Sequence, residues 1–305
     1  MNITVAGAGA IGGFLGGMLS RQGHNVSFIA RGEHLIKMQE NGLQLTSGLD
    51  GEIVKSHFTE SFESVSEADL ILFTVKSTET ERMARNIAPY IKKDSFILTF
   101  QNGVNNEEIL TEIFEEGQIL SGAAHISAQV ESPGVVRQDG NHIFYVGGLT
   151  TTNEESIKNI VKMFEEAGLH TKYSDRIIGR KWEKSLWNVT FNPLSAISGA
   201  TVGEILDNPE LLNTSKAILK EIVQIVKNLN INLRDKTIDR VFETAKLVRG
   251  HKTSMLQDKE KGRAMEVESL CGYFVKTAEE LNLETPVLDT LYSLLIFIDQ
   301  QRTSQ

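Results

Sequence analysis

The chain has 305 residues, 40 of them acidic and 31 basic, giving a net charge of −9, with 40% apolar side chains and five prolines. This composition is that of a folded globular protein and argues against nucleic acid as the main partner, because phosphate-backbone binding draws on clustered Lys and Arg. Cys271 is the only cysteine, so no intrachain disulfide and no cysteine-based metal site can form, and a reducing, cytoplasmic setting is expected.

Residues Asn2–Ala6 read as a buried strand, and Gly7-Ala8-Gly9-Ala10-Ile11-Gly12 follows at once, opening a helix-like segment. In that position Gly-x-Gly-x-x-Gly is a dinucleotide-binding fingerprint. Gly7 makes the tight turn, Gly9 leaves the backbone open to a pyrophosphate, and Gly12 lets the helix lie close to the sheet. The helix N-terminus adds free N–H donors and the positive end of its dipole. A second strand, Val26–Ile29, ends near Arg31, where NAD-preferring proteins carry a carboxylate for the ribose 2′-hydroxyl. A guanidinium suits a 2′-phosphate instead, so NADP(H) is the expected cofactor. The N-terminus reads as a strand rather than a signal-peptide core, and no apolar run reaches the length of a membrane span; neither export nor insertion is expected.

Strands Leu70–Val75, Phe96–Phe100, Ile119–Ala124 and Ile143–Val146 follow, with helical stretches at Thr78–Ile91 and Asn105–Phe114. This alternation indicates an α/β fold with a Rossmann-type, doubly wound parallel sheet. Between Ser127 and Val146, Glu131-Ser-Pro-Gly134 and Gln138-Asp-Gly-Asn141 read as turns, so antiparallel additions are expected there.

After about Asp175 strand signals almost vanish. Helices are expected over Asp175–Thr190, Pro209–Leu229, Lys236–Val248, Lys259–Leu281 and Pro286–Gln300, with Asn208 and Thr285 as caps ahead of prolines. The chain thus divides into a dinucleotide-binding domain, residues 1–174, and an all-helical substrate domain, residues 175–305, with a substrate cleft expected between them. The apolar stretch Leu291–Ile298 packs either internally or at a homodimer interface, and the sequence leaves both open.

Lys184, Asn188 and Asn192 recur every fourth residue, so on a helix they form one stripe, each about 40° round from the last. A solvated face, with Lys184 paired to Glu183 or Asp175, accounts for the stripe as well as a site does. Asparagine is a poor helix former, and two at a helix end tilt the balance toward a site.

Taken together, these segments resemble the ketopantoate reductase (2-dehydropantoate 2-reductase) family over essentially the whole chain. The landmarks are Gly7–Gly12, Arg31, Thr74-Val-Lys76, Gln101-Asn-Gly103, Pro133-Gly134, Lys181-Trp-Glu-Lys184, Asn188, Asn192-Pro-Leu-Ser-Ala196, Ser254-Met-Leu-Gln-Asp258 and Gly262-Arg263 through Glu266. The resemblance implies NADPH-dependent reduction of a 2-oxo acid, ketopantoate to (R)-pantoate, on the pantothenate and coenzyme A route. It makes Lys184 the general acid that protonates the carbonyl oxygen. It makes Asn102, Asn188, Asn192, Ser254 and Glu266 substrate-binding, with Glu266 on a substrate hydroxyl and Ser254 alternatively a helix cap. Arg31 and Lys76 would hold the adenosine phosphate, and Asn102 would also lie by the nicotinamide. Glu268 competes with Glu266 if the register shifts, and an Arg263–Glu266 pair on an exposed helix is the other account of that carboxylate. His125 matches no catalytic motif and is expected to be structural or supporting. A reductase of another 2-oxo acid and a non-catalytic NADP(H)-binding sensor are the alternatives.

Overall fold

The computed structural model describes residues 1–46, 51–149 and 153–302. These form two compact units. One comprises Met1–Gln101 with Asn106–Ile178, and the other comprises Asn102–Asn105 with Gly179–Gln305.

The first unit is built on one sheet of ten strands: β1 (Asn2–Ala6), β2 (Asn25–Ile29), β3 (Leu43–Thr46), β4 (Ile53–Val54), β5 (His57–Thr59), β6 (Leu70–Phe73), β7 (Phe96–Thr99), β8 (Ile119–Ser132), β9 (Val135–Gly148) and β10 (Thr171–Tyr173). Their order is β4-β3-β9-β8-β7-β6-β1-β2-β5, with β10 paired to β9. From β5 across to β8 every pairing is parallel; β8 with β9 and β3 with β4 are antiparallel. The order reverses beside β1, where β2 lies on one side and β6 on the other. Such a switch point leaves a crevice at the carboxyl ends of the strands.

Strand β6 shows why the central runs are apolar throughout. Leu70 and Leu72 join the core on one face and Ile71 and Phe73 the core on the other, because a parallel sheet is covered on both sides. Helix α1 (Ala10–Arg21) lies on the first of these faces and buries Gly12, Gly13, Gly16 and Gly17. A methyl group at Gly13 would come within 2.9 Å of Val136, at Gly16 within 2.6 Å of Phe28, and at Gly17 within 2.8 Å of Leu45. The helix is therefore seated against β2, β3 and β9 together, by glycine where a side chain would not fit. Helices α2 (Gly32–Asn41) and α5 (Glu154–Glu166) bury side chains in the same core as α1, and α3 (Thr80–Ile87) and α4 (Asn106–Thr111) in the core on the opposite face.

The hairpin of β8 and β9 turns at Pro133–Gly134, as the first of the two expected turns requires. The second, Gln138–Asn141, is not a turn. The pairing slips between His125↔Ile143 and Ser127↔Asp139, so these residues form a bulge within one long strand. Gly140 takes φ +69° there, and the Gln138 carboxamide donates to the Asp139 and Gly140 carbonyls at 2.9 and 2.8 Å. His125 sits exposed on β8 with its ring edge-on to Tyr145.

Within its own residues the second unit is all-helical: most of α6 (Ile177–Ser198), then α7 (Val202–Asp207), α8 (Pro209–Asn228), α9 (Thr237–Leu247), α10 (Ser254–Glu260), α11 (Tyr273–Glu280) and α12 (Pro286–Gln301). Three expectations are corrected. Helix α6 does not stop at Thr190; it runs through Pro193 to Ser198, held by the burial of Phe191, Leu194 and Ala196. No continuous helix spans Lys259–Leu281. Gly262 turns to φ +62°, the Arg263 amide bonds back to the Asp258 carbonyl at 2.8 Å, and helix resumes only as a π-turn at Glu268–Gly272 leading into α11. Thr285 does not cap α12. The buried Glu221 carboxylate on α8 accepts from the Val287 and Leu288 amides at 3.0 and 2.9 Å. Asn208 does cap α8, accepting from Glu210 and Leu211. Of the apolar stretch on α12, Leu291 and Leu295 are buried whereas Leu294 and Phe297 face outward, Phe297 at 61% exposure. Among the described residues no helix is long and apolar enough to cross a membrane.

Candidate active site

At the carboxyl end of β1 the chain turns sharply through Gly7, whose φ of +102° only glycine adopts without strain. A side chain there would also lie 2.7 Å from Val75. The Gly7 and Ala8 amides both reach the Ile29 carbonyl at the end of β2, at 3.2 and 3.1 Å. The Thr74 hydroxyl beyond β6 donates to the Gly7 carbonyl at 2.9 Å. A Cβ on Gly12 would collide with those same two groups, whereas one on Gly9 would meet nothing within 4 Å. Gly9 is the N-cap of α1, with no side-chain cap and no acidic residue in the first turn. The first amides of α1 have no carbonyl within the helix to bond, and they look out beside an open glycine. The cradle fits a phosphate or pyrophosphate in both shape and charge.

Arg31 is the N-cap of α2, directly after β2. Its side chain is 72% exposed and lies 3.7 Å from Glu79, which Arg82 also engages. Lys76 begins the turn beyond β6. The loop that carries it is fastened by Gln101, whose carboxamide donates to the Val75 carbonyl at 2.9 Å and to the Thr80 hydroxyl at 2.7 Å. Arg31 and Lys76 thus follow the two strands that flank β1. In the sequence Gln101 stands out only as part of the Gln101-Asn-Gly103 landmark and as a polar residue ending an apolar strand; these bonds give it a positioning role.

In the second unit, Lys184, Asn102 and Glu266 form one chain of hydrogen bonds. The Lys184 ammonium donates to Asn102 Oδ1 at 3.0 Å, and Asn102 Nδ2 donates to Glu266 Oε2 at 3.3 Å. These residues stand 82 and 164 positions apart in sequence. Gly103 makes the juncture possible: with φ +86° and no side chain it rests on Ser269, where a Cβ would approach to 2.9 Å. Burial above all, together with the Lys181 charge one turn earlier, lowers the Lys184 ammonium to about 8 against the opposing pull of Glu266. Glu183 is not its partner. That carboxylate is engaged by Arg234, through the backbone amide at 2.9 Å and the guanidinium at 2.6 Å.

Asn188 lies one turn beyond Lys184 on α6. It is 8% exposed, and its carboxamide makes no hydrogen bond among the described residues, so it can bind a substrate. Asn192, 2% exposed, is used differently. Its Oδ1 accepts from the Ser254 hydroxyl and the Met255 amide, both at 3.2 Å, while Nδ2 donates to the Asn188 carbonyl at 3.0 Å. It fixes the start of α10, and with it the exposed Ser254. Ser254 is not the helix cap; Thr253 is, accepting from the Leu256 amide. Glu266 lies in the irregular segment before the π-turn rather than on a helix with Arg263. Glu268 is drawn elsewhere, to Lys276 and the Tyr292 hydroxyl. A separate cavity of about 400 Å³ at the end of α8, lined by Val226, Ile231, Leu233 and Thr237 among others, contains none of these groups.

A wound sheet with an uncapped, glycine-opened helix after its first strand, together with a helical unit carrying a lysine of lowered pKa, is the build of a pyridine-nucleotide-dependent reductase. Residues 3–150 match the family described as "Ketopantoate reductase PanE/ApbA", and residues 176–299 match its C-terminal counterpart. A 2-dehydropantoate 2-reductase of Pyrococcus horikoshii is 33% identical over 295 residues, covering 97% of this chain and 96% of that protein. One from Archaeoglobus fulgidus is 30% identical, with 96% of each covered. Among solved structures, a PanE/ApbA family ketopantoate reductase from Ralstonia eutropha superposes with a TM-score of 0.93 at 28% identity, over 99% of this chain and 100% of that one. D-Mandelate dehydrogenase with NADH and anilino(oxo)acetate does so with a TM-score of 0.91 at 26% identity, over the same shares. The chain belongs to the ketopantoate reductase PanE/ApbA family.

Proposed function

We propose that this protein reduces 2-dehydropantoate to (R)-pantoate with NADPH, on the pantothenate and coenzyme A route. The observation that carries the reading is the Lys184–Asn102–Glu266 chain, with a lysine near pKa 8 beside an uncommitted Asn188. A bound nicotinamide nucleotide supplies the hydride. The amides at the start of α1 take its pyrophosphate, and Arg31 and Lys76 take the 2′-phosphate. Lys184 gives its proton to the substrate carbonyl oxygen, and its charge stabilises the alkoxide that forms there. Asn102 holds the ammonium in one direction through Oδ1. Glu266 accepts from the substrate hydroxyl, Asn188 donates to the carboxylate, and the Ser254 hydroxyl turns from Asn192 Oδ1 to donate to it too, while Asn192 keeps the start of α10 in place through the Met255 amide.

A second reading keeps the chemistry and changes the substrate. The likeness to D-mandelate dehydrogenase, in a structure with NADH, favours a different 2-oxo acid, and the exposure of Arg31, 3.7 Å from Glu79, leaves room for either nucleotide. One panel separates them: ketopantoate, 2-oxoisovalerate and phenylglyoxylate (the 2-oxo acid of mandelate), each with NADPH and NADH. The expected result is the highest kcat/KM for ketopantoate with NADPH. Lys184→Ala should lose at least about two orders of magnitude in kcat, within the usual range for removing a general acid. Arg31→Asp should weaken NADPH far more than NADH. Equal turnover of 2-oxoisovalerate would remove the role of Glu266 toward a hydroxyl. Nucleotide binding without turnover of any of the three would make the protein a sensor.

A further inference from the structure

We propose that His34 is a positioning residue for the dinucleotide loop, a two-point clasp between the Ala8 carbonyl and the turn at Pro133–Gly134. The inference rests on the nucleotide-binding reading of Gly7–Gly12. His34 lies half-buried in the first turn of α2. Its Nε2 is 2.8 Å from the Ala8 carbonyl oxygen, and its Nδ1 is 2.9 Å from the Gly134 amide nitrogen. A carbonyl can only accept and an amide N–H can only donate. The two partners therefore admit one form of the ring: neutral, with hydrogen on Nε2 and the lone pair on Nδ1.

Both partners are otherwise fixed. The Ala8 amide donates to Ile29 at 3.1 Å, and the Gly134 carbonyl accepts from the Gln44 amide on β3 at 2.9 Å. Gly134 sits at φ +81°, and a Cβ there would approach Lys37 to 3.0 Å, so the turn lies down on α2. Because the peptide between Ala8 and Gly9 is planar, holding its carbonyl also directs the Gly9 amide, which donates to the Gly7 carbonyl at 2.8 Å and so closes the loop ahead of α1. The clasp thus explains two landmarks at once, the glycine fingerprint and the distant Pro-Gly turn.

Burial lowers the pKa of the ring, and the bond to Ala8 pulls the other way. The titratable groups on the elements around the ring are Glu33, Lys37 and Glu40 on α2, His57 on β5, and Glu131 and Arg137 on the hairpin; Gly7–Gly12 contributes none, and none of these charges shifts the ring. A proton on Nδ1 would set N–H against N–H and open the clasp. Because the folded ring prefers to be neutral, the clasp is complete above the ordinary histidine range and is lost as pH falls below it.

The test measures NADPH and NADH dissociation constants by fluorescence titration of the full chain, as wild type, His34→Leu and His34→Gln, from acid to neutral pH. His34→Leu should weaken both nucleotides about tenfold, the worth of one good hydrogen bond, with kcat at saturating nucleotide changed far less than KM. His34→Gln, which keeps a donor for Ala8, should recover part of the loss and show a flatter acid dependence. The 2′-phosphate titrates in the same range but is absent from NADH, so the NADH series isolates the ring. Nitrogen-15 spectra of the wild type should show Nε2 protonated and Nδ1 bare at neutral pH. Unchanged affinity in a folded His34→Leu, or the opposite tautomer, overturns the proposal. If His34→Leu does not fold, His34→Gln and the tautomer decide. A wild type that binds neither nucleotide removes the nucleotide reading itself, and the clasp's purpose with it.

Discussion

Lys184 carries opposing demands at the level of a single side chain. Its pKa is pushed from 10.5 to about 8 by burial and by Lys181, so the folded protein holds this proton less readily than the unfolded chain does. The sign follows from linkage: below about 8 the folded state bears the cost of a buried ammonium, and that cost is relieved as pH rises toward 10.5. In the proposed reaction, catalysis needs the same proton. Ketone reduction should be flat at neutral pH and fall as pH rises through about 8, with oxidation of the hydroxy acid rising over the same interval. Lys184→Met should abolish that limb and be at least as stable as wild type to denaturant at neutral pH. A limb that persists in this variant would belong to another group. The stripe of Lys184, Asn188 and Asn192 is visible in the sequence, and all three do lie one turn apart on α6. Spacing alone could not tell its members apart: Asn188 is uncommitted, whereas Asn192 is fully engaged by Ser254, Met255 and Asn188, partners a linear pattern does not reveal.

At the scale of elements, the sequence was most reliable where a signal is local. The Asn208 cap, the Pro286 start of α12 and the apolar strands β1, β2, β6 and β7 all depend on neighbours a few residues away. It failed where a distant group does the work of a local one. Thr285 stands where a cap belongs, yet Glu221, more than sixty residues earlier, satisfies the two amides. Pro193 reads as a helix stop, yet α6 passes through it because the flanking side chains are buried. The bulge at Gly140 mimics a hairpin turn because both use the same residue types. Glu221→Ala would leave the Val287 and Leu288 amides unsatisfied in the interior and should destabilise the protein by roughly 2–4 kcal/mol, one to two for each donor. Chemical denaturation would measure it, and a loss under about 0.5 kcal/mol would show that water takes over the cap. Nucleotide affinity should be untouched, since Glu221 belongs to the second unit.

For the molecule as a whole, the parallel sheet and the helical half were legible from the change of periodicity near residue 175. The pairings of β3 and β10 with β9 were not. They join segments far apart in sequence whose short strands carry little pattern of their own. Nor was the membership of Asn102–Asn105, four residues from the nucleotide-binding half of the sequence that belong to the helical unit. That membership decides what the chain can survive being cut into. A fragment starting at Gly179 has Lys184 and Glu266 but not the amide that joins them, so it should be inert alone even when folded. Co-expression with residues 1–178 should restore turnover, and should fail to do so when that piece carries Asn102→Ala. In the proposed reaction the helical half is therefore not a portable catalytic module: one of its working parts is encoded in the middle of the other.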